Sequence, residues 1–460
     1  MPVCLEKGVP VERLIGRRDA LALLGMPAAL SLGSALAGCG TGGKKLLDIP
    51  PAIAATDLTA RVKTTASAQE SIGDTLADQT ATHAAFDFAA RLLQGVCSAE
   101  SQDNALVSPL SALFALALAE SGAAGETLSQ LEMAAGMGIG ALTSYLDAYA
   151  RRISGEPLYD DRQRGDVLAL KSANSIWLRA SDDLTVSDGY LATCKASLSA
   201  QAFSAPFDTT TVDDINSWVS YKTDGMIDRL VDHITAEDQL FLINALAFDG
   251  MWEEPYDDGD VQDDTFTTEG GDEQDVRMMR SHETTYLEND LAEGFLKPYE
   301  NYDFAFVALL PKQGARLADL VASLDGASLH ALVANAIPNV EAEAGLPKFS
   351  IAYQATLNDQ LAAMGAHDAF DFDRADFSRM ATARDANLAI SVVLQKTFID
   401  VNETGTKAAA ATSINMEATG TEAPTKPEIR EVTLDRPFAY LIIDSMTMTP
   451  LFTGVVTSVV

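Results

Sequence analysis

Residues 241–252 read FLINALAFDGMW, nearly unbroken apolar sequence. Such a run fits a strand covered on both faces in the middle of a sheet, so the chain must build packed layers on either side of it. LAISVVLQKTFIDV (388–401) alternates in part and predicts a second strong strand. FAYLIIDSMTMTPLFTGVV (438–456) holds two apolar runs separated by Ser, Thr and Met, the pattern of a buried hairpin. Helical periods lie elsewhere. ATHAAFDFAARLLQGV (81–96) puts Phe86, Ala89, Ala90 and Leu93 on one face, and INSWVSYKTDGMIDRL (215–230) does the same with Ile215, Val219, Met226 and Leu230. Strands and helices without a regular strand-helix-strand rhythm define an α+β fold class. At 47% hydrophobic over 460 residues, the core can be large.

The N-terminus reads as an address. Arg17-Arg18, a pair that opens twin-arginine export signals, precedes an uncharged run from Ala20 to Gly43. Leu36-Ala37-Gly38-Cys39 within that run resembles a bacterial lipoprotein box, in which cleavage leaves a lipidated cysteine as the new N-terminus. The run is also long enough to span a bilayer, but Pro27, its six glycines and the closing LAGC favour the lipoprotein reading. Residues 1–38 are therefore expected to be a signal peptide and Cys39 a lipid attachment site, with twin-arginine and general secretion both open as routes. Residues 39–79 are expected to form a tether, rich in Ala, Thr, Ser and Asp, spanning roughly 35 Å as a flexible coil. The globular domain is expected over 80–460, outside the cytoplasm and anchored to the membrane by lipid alone.

Charge excludes one class of partner. With 66 acidic against 32 basic residues and a formal charge of −34, the chain repels phosphate backbones, so no nucleic acid is expected. Four scattered cysteines make neither a disulfide scaffold nor a zinc site, and whether Cys97 and Cys194 pair is open. No HExxH, GxSxG or GxxxxGK[ST] is present. Gly136-Met-Gly138-Ile-Gly140-Ala141 fits GxGxx[GA], yet it follows a helical stretch rather than a strand and reads as a glycine-rich turn. The five histidines, His83, His233, His282, His330 and His367, share no motif with a nucleophile, and Asp257-Asp258-Gly259-Asp260 reads as solvated loop. No catalytic residue, metal or cofactor is expected.

The most informative segment is ETGTKAAAATSINMEATGTEAPTKP (403–427), directly after the strong strand ending at Val401. From Thr406 to Glu417 it alternates: Thr406, Ala408, Ala410, Thr412, Ile414 and Met416 share an uncharged face, and the charged or more polar residues fall on the other. Alanine is a poor strand former, so the segment is able to become a strand without being obliged to. Gly405 offers a hinge, and Pro424 bounds the part that a central ladder could accept.

ETGTKAAAAT (403–412) resembles the hinge of inhibitory serpins. NALVSPLS (104–111), INSWVSYKTDGMI (215–227), FLINALAFDGMW (241–252), LPKFSI (346–351) and RPFAYLI (436–442) resemble that family in the same order. The resemblance implies a serpin fold, with three β-sheets, surrounding helices and an exposed reactive centre loop at about 403–431. It also implies a suicide inhibitor: a serine protease attacks the loop, which inserts into the large sheet and traps the acyl-enzyme as a covalent 1:1 complex with a monomeric inhibitor. Cysteine proteases are a second target class. The family's spacing puts the reactive bond at Thr419-Gly420, where a small residue suits elastase-like or subtilisin-like enzymes, with neighbouring bonds from Met416 to Ala423 left open. Glu403, Gly405, Thr406, Ala408, Ala410 and Thr412 would form the hinge; Ser108, Pro109, Asn244, Trp252 and Gln395 would line the shutter and breach beneath the opening sheet. Gln395 stands where many relatives carry histidine, and Lys407 where Glu is usual. The alternative is a non-inhibitory serpin acting as a surface binding protein.

Overall fold

The structure, a computed structural model, describes residues 50–64, 71–99, 104–156, 158, 169–383, 387–406 and 427–459. Cys39, Ala408, Ala410, Thr412, Thr419 and Gly420 lie outside them.

Three sheets carry the architecture, with an additional two-stranded ladder between Ala381–Thr382 and Thr185–Val186. The largest has eight strands. Leu240–Phe248 sits at its middle, buried along its whole length as its apolar run predicts, antiparallel to Leu170–Arg179 and parallel to Val392–Val401. Phe349–Thr356 covers the far side of Val392–Val401. A six-stranded sheet contains the C-terminal hairpin, Phe438–Asp444 with Thr449–Val456, flanked by Phe304–Pro311 and Ala105–Val107. In the four-stranded sheet, Glu428–Thr433 runs parallel to Val340–Pro347, which is followed by Glu273–Glu283 and Val261–Thr267.

The helix Pro109–Gly122 is apolar nearly all round and buried accordingly, lying between the large sheet and the C-terminal hairpin. Its start is fixed locally. The Ser108 side chain accepts from the Ser111 N–H as N-cap, and Pro109 occupies the first turn, where its missing N–H costs nothing.

The Gly136–Gly140 glycines lie at a helix junction. Gly136, at φ 73°, ends the helix Gly125–Ala135, and Gly138 caps the helix Ile139–Ile153. Cys97 and Cys194 are free thiols, and burial pushes the Cys97 thiol up to about 11 and that of Cys194 to about 12.

Two boundaries differ from expectation. Packing begins by Ile53 rather than residue 80: Ile53 lies against a buried cluster, Thr56–Asp57 adds an edge strand to Ala200–Ala205, Asp214 accepts from the Ala54 and Ala55 N–H groups, and Ile72 and Leu76 are buried. Small polar composition concealed this because a two-residue strand has no period to detect. The helix expected over 215–230 ends at Lys222, preceded by an earlier start at Thr209. Asp224 and Gly225 take positive φ, and the Thr223 hydroxyl accepts the Ile227 N–H, which closes the helix while leaving Ile227 and Leu230 buried.

Candidate functional site

The two strands at the centre of the large sheet part company halfway along. Val392–Lys396 pairs with Phe241–Ala245 in five successive positions, and beyond them the parallel ladder stops. Into the space above, the chain folds back on itself. Gly405 pairs with Met251, and Thr406 pairs with both Gly250 and Val401. The reversal is a tight turn in which the Asn402 N–H donates to the Gly405 carbonyl at 3.0 Å and the Asn402 side chain accepts the Thr404 N–H. Two residues of the expected hinge therefore already sit as the start of a new strand, antiparallel to both neighbours.

Gly405 is needed here for its backbone angle, φ 157°, and for closeness. A Cβ on it would lie 2.7 Å from Met251 Cα and would also meet the Gly250 carbonyl oxygen, both rigid backbone. Thr406 is 1% exposed, and its hydroxyl hydrogen-bonds that of Tyr299 at 2.6 Å. Glu403 stays half-buried and pairs with Lys348 at 2.6 Å; that hydrogen bond holds its carboxyl below the usual range.

Beneath the paired section lies a polar cluster. Gln395 and Asn244 are register partners, as are Asn244 and Asn174 across the next ladder. The Gln395 amide accepts the Ser108 N–H at 2.9 Å and donates to the Ser108 carbonyl at 2.8 Å. Ser108 Oγ donates to the Leu451 carbonyl at 2.6 Å. The Ser111 hydroxyl donates to Asn244 Oδ1, Asn244 Nδ2 donates to Asn174 Oδ1, and Asn174 Nδ2 donates to the Leu198 carbonyl. Three strands of the sheet thus hang on the first turn of the Pro109–Gly122 helix through amides and hydroxyls, each with partners, as buried polar groups require.

Above the gap, Trp252 stacks on Tyr299 at 4.4 Å between centroids and donates its indole N–H to the Asn402 carbonyl at 2.9 Å. Ser108, Pro109, Asn244 and Gln395 are therefore gathered at one place and Trp252 at another, next to Glu403, Gly405 and Thr406. Ser111 and Asn174 complete the lower cluster and were not picked out from sequence; a polar residue inside an otherwise apolar strand, as in SANSIW, is the signal that marks Asn174. Among the described residues, no three His, Cys, Asp or Glu side chains are grouped to hold a metal.

A family model described as Serpin (serine protease inhibitor) matches residues 83–459. Serpin B9 of Homo sapiens is 31% identical over 343 residues, covering 73% of this chain and 89% of that protein. Leukocyte elastase inhibitor A of Mus musculus is 30% identical over 385 residues, covering 81% and 97%. Among solved structures, the native state of tengpin, a thermophilic serpin, superposes with a TM-score of 0.77 at 38% identity, covering 88% of this chain and 99% of that one. The chain belongs to the serpin family. Members of this family are for the most part protease inhibitors, not enzymes, and generally act through a covalent complex with the protease.

Proposed function

We propose that the chain is a suicide inhibitor of serine proteases, cleaved between Thr419 and Gly420, that traps the acyl-enzyme by drawing its loop into the large sheet. The observation that carries this reading is the pair Gly405-Thr406, seated between Val401 and Gly250 directly above a ladder that is closed only at Val392–Lys396. The new strand is started at Gly405-Thr406.

Continuing that register would bring Ala408, Ala410 and Thr412 opposite Ile399, Thr397 and Gln395, all buried positions. This is the uncharged face of the alternation, so insertion would bury methyls and hydroxyls and leave Lys407 on the opposite face. Ladder hydrogen bonds contribute about 0.5–1.5 kcal/mol each, whereas ordering costs about 1–2 kcal/mol per residue. Burial of Ile414, Met416 and the alanine methyls must therefore help drive insertion.

A small residue before the reactive bond fits elastase-like or subtilisin-like proteases, and a relative named for elastase inhibition matches over most of this chain. Cysteine proteases are the second target class. We further propose that Cys39 carries lipid and displays a monomeric inhibitor outside the cytoplasm.

Mixing the purified protein with elastase-like and subtilisin-like enzymes tests the central claim. A complex that survives denaturing gels, with mass spectrometry locating the cut after Thr419, is the expected outcome. Clean cleavage with undiminished protease activity across a broad panel would favour a non-inhibitory surface binding protein instead.

A further inference from the structure

Directly beneath the hinge the core contains a lysine. Lys297, on the Ala292–Pro298 strand, is 2% exposed, a rare condition for this residue type unless it is paired. Its ammonium donates to Glu283 Oε1 at 2.9 Å and to the Glu254 carbonyl at 3.2 Å. It also lies 4.4 Å from the centre of the Tyr256 ring and 5.5 Å from that of Trp252, within reach of the electrostatic attraction between a cation and a ring face. Glu283 accepts a further hydrogen bond from the Ser281 hydroxyl at 2.7 Å, which leaves the pair well satisfied.

The two rings this cation holds belong to the segment that grips the turn of the hinge. The Trp252 N–H donates to the Thr404 carbonyl at 3.0 Å, the Tyr256 N–H to the Glu403 carbonyl at 2.9 Å, and the Trp252 indole to Asn402. Trp252 in turn stacks on Tyr299, whose hydroxyl meets Thr406. Lys297 therefore touches both residues from which these three ties to the hinge come. Stability alone is a poor reason to bury it, because apolar side chains of similar volume commonly do as well as a buried ion pair or better.

We propose that Lys297 is a positioning residue for loop insertion: held by Glu283, it fixes Tyr256 and Trp252 and thereby keeps the mouth of the gap in the geometry from which the new strand extends. This rests on the trapping reading above. Without the cation, the turn at Asn402–Thr404 is gripped less firmly, insertion starts later, and more of the acyl-enzyme is lost to water.

The test is the double variant Lys297→Met/Glu283→Gln, which removes both charges together and leaves neither stranded. Its heat midpoint in the uncleaved form serves as the control for structural damage. Amide exchange at Trp252 and Tyr256 is expected to speed up at least about tenfold while that of Ile243 is unchanged. The moles of inhibitor consumed per mole of protease inhibited are expected to rise at least about threefold, as trapping loses ground to hydrolysis. Unchanged exchange, or faster exchange with wild-type consumption, overturns the proposal. If the double variant does not fold, Tyr256→Leu removes the nearer ring and is expected to raise consumption about twofold, and no rise overturns the proposal equally. A wild-type protein that traps no protease would instead defeat the inhibitory reading itself, so the two failures are distinguishable.

Discussion

Replacing Thr406 by arginine tests whether the hinge must slip into the sheet. Thr406 is almost wholly buried, its hydroxyl meets Tyr299, and its backbone is flanked by Val401 and Gly250. An arginine that stayed in place would bury an uncompensated guanidinium, at a cost of several kcal/mol. The cheaper response is withdrawal of the hinge. That forfeits the Tyr299 hydrogen bond and the first ladder bonds, together about 2–3 kcal/mol at about 1 kcal/mol each. Insertion must still carry the charge past the same buried position, so its barrier rises by the burial cost of several kcal/mol less the roughly 2–3 kcal/mol already forfeited in the ground state. A rise of about 3 kcal/mol slows the step roughly 150-fold.

On the trapping reading, hydrolysis of the acyl-enzyme at Thr419, thirteen residues along the chain from Thr406, is untouched by the substitution, so partitioning shifts toward cleaved inhibitor and free protease. Denaturing gels read the ratio of complex to cleaved chain, and titration of residual protease activity reads the stoichiometry. Thr406→Arg is expected to be cleaved at the wild-type rate with little or no complex. A complex yield equal to wild type would refute the account of the hinge. Thr406→Ser, which keeps the hydroxyl, serves as the control and is expected to trap normally.

Two further substitutions separate groups that matter from groups that do not. Both carboxylate oxygens of Glu120 are buried without a hydrogen-bond partner, and burial followed by repulsion from Glu132 pushes its pKa up to about 9. The folded state thus favours the neutral acid, so this group's contribution is fully present below the unfolded value near 4.5 and is lost as pH rises towards about 9. Glu120→Gln is expected to flatten the fall in heat midpoint between pH 5 and 8; an identical pH profile in both proteins would contradict the burial argument. Glu403, by contrast, has its carboxyl lowered by Lys348, so that pair stabilises above the unfolded carboxylate range and is lost as pH falls through the folded value. Both partners are more than a third exposed, so Glu403→Gln is expected to cost less than about 1 kcal/mol in urea unfolding at pH 7.

The elements legible in the sequence were those with a long period or an unbroken apolar run. The Leu240–Phe248 strand, the C-terminal hairpin and the long helix Gln79–Ala99 all announce themselves through side-chain spacing. The boundaries at Thr56 and Lys222 did not, since one depends on an edge pairing with Ala200–Ala205 and the other on a two-residue break at Asp224-Gly225. At the candidate site, the small residues after Gly405 carry a pattern that the chain can display locally. Lys297 carries none. Nothing in FLKPY says that its ammonium points inward, because its burial depends on Glu283, Tyr256 and Trp252, which arrive from other parts of the chain.

On the trapping reading, the polar cluster under the sheet suits a ladder that has to open. If Val392–Lys396 and Phe241–Ala245 were joined by interlocking apolar side chains throughout, opening them would expose a wide dry seam. Instead the inward positions Gln395 and Asn244 carry amides, and each is tied to the same helix turn by bonds of its own, Gln395 through the Ser108 backbone and Asn244 through the Ser111 hydroxyl. Separating the strands then breaks the backbone ladder bonds between Val392–Lys396 and Phe241–Ala245, about 1 kcal/mol net each, while both amides keep their ties to the helix turn. A strand extended from Thr406 would, on the trapping reading, re-pair both freed edges, so insertion exchanges one set of ladder bonds for two.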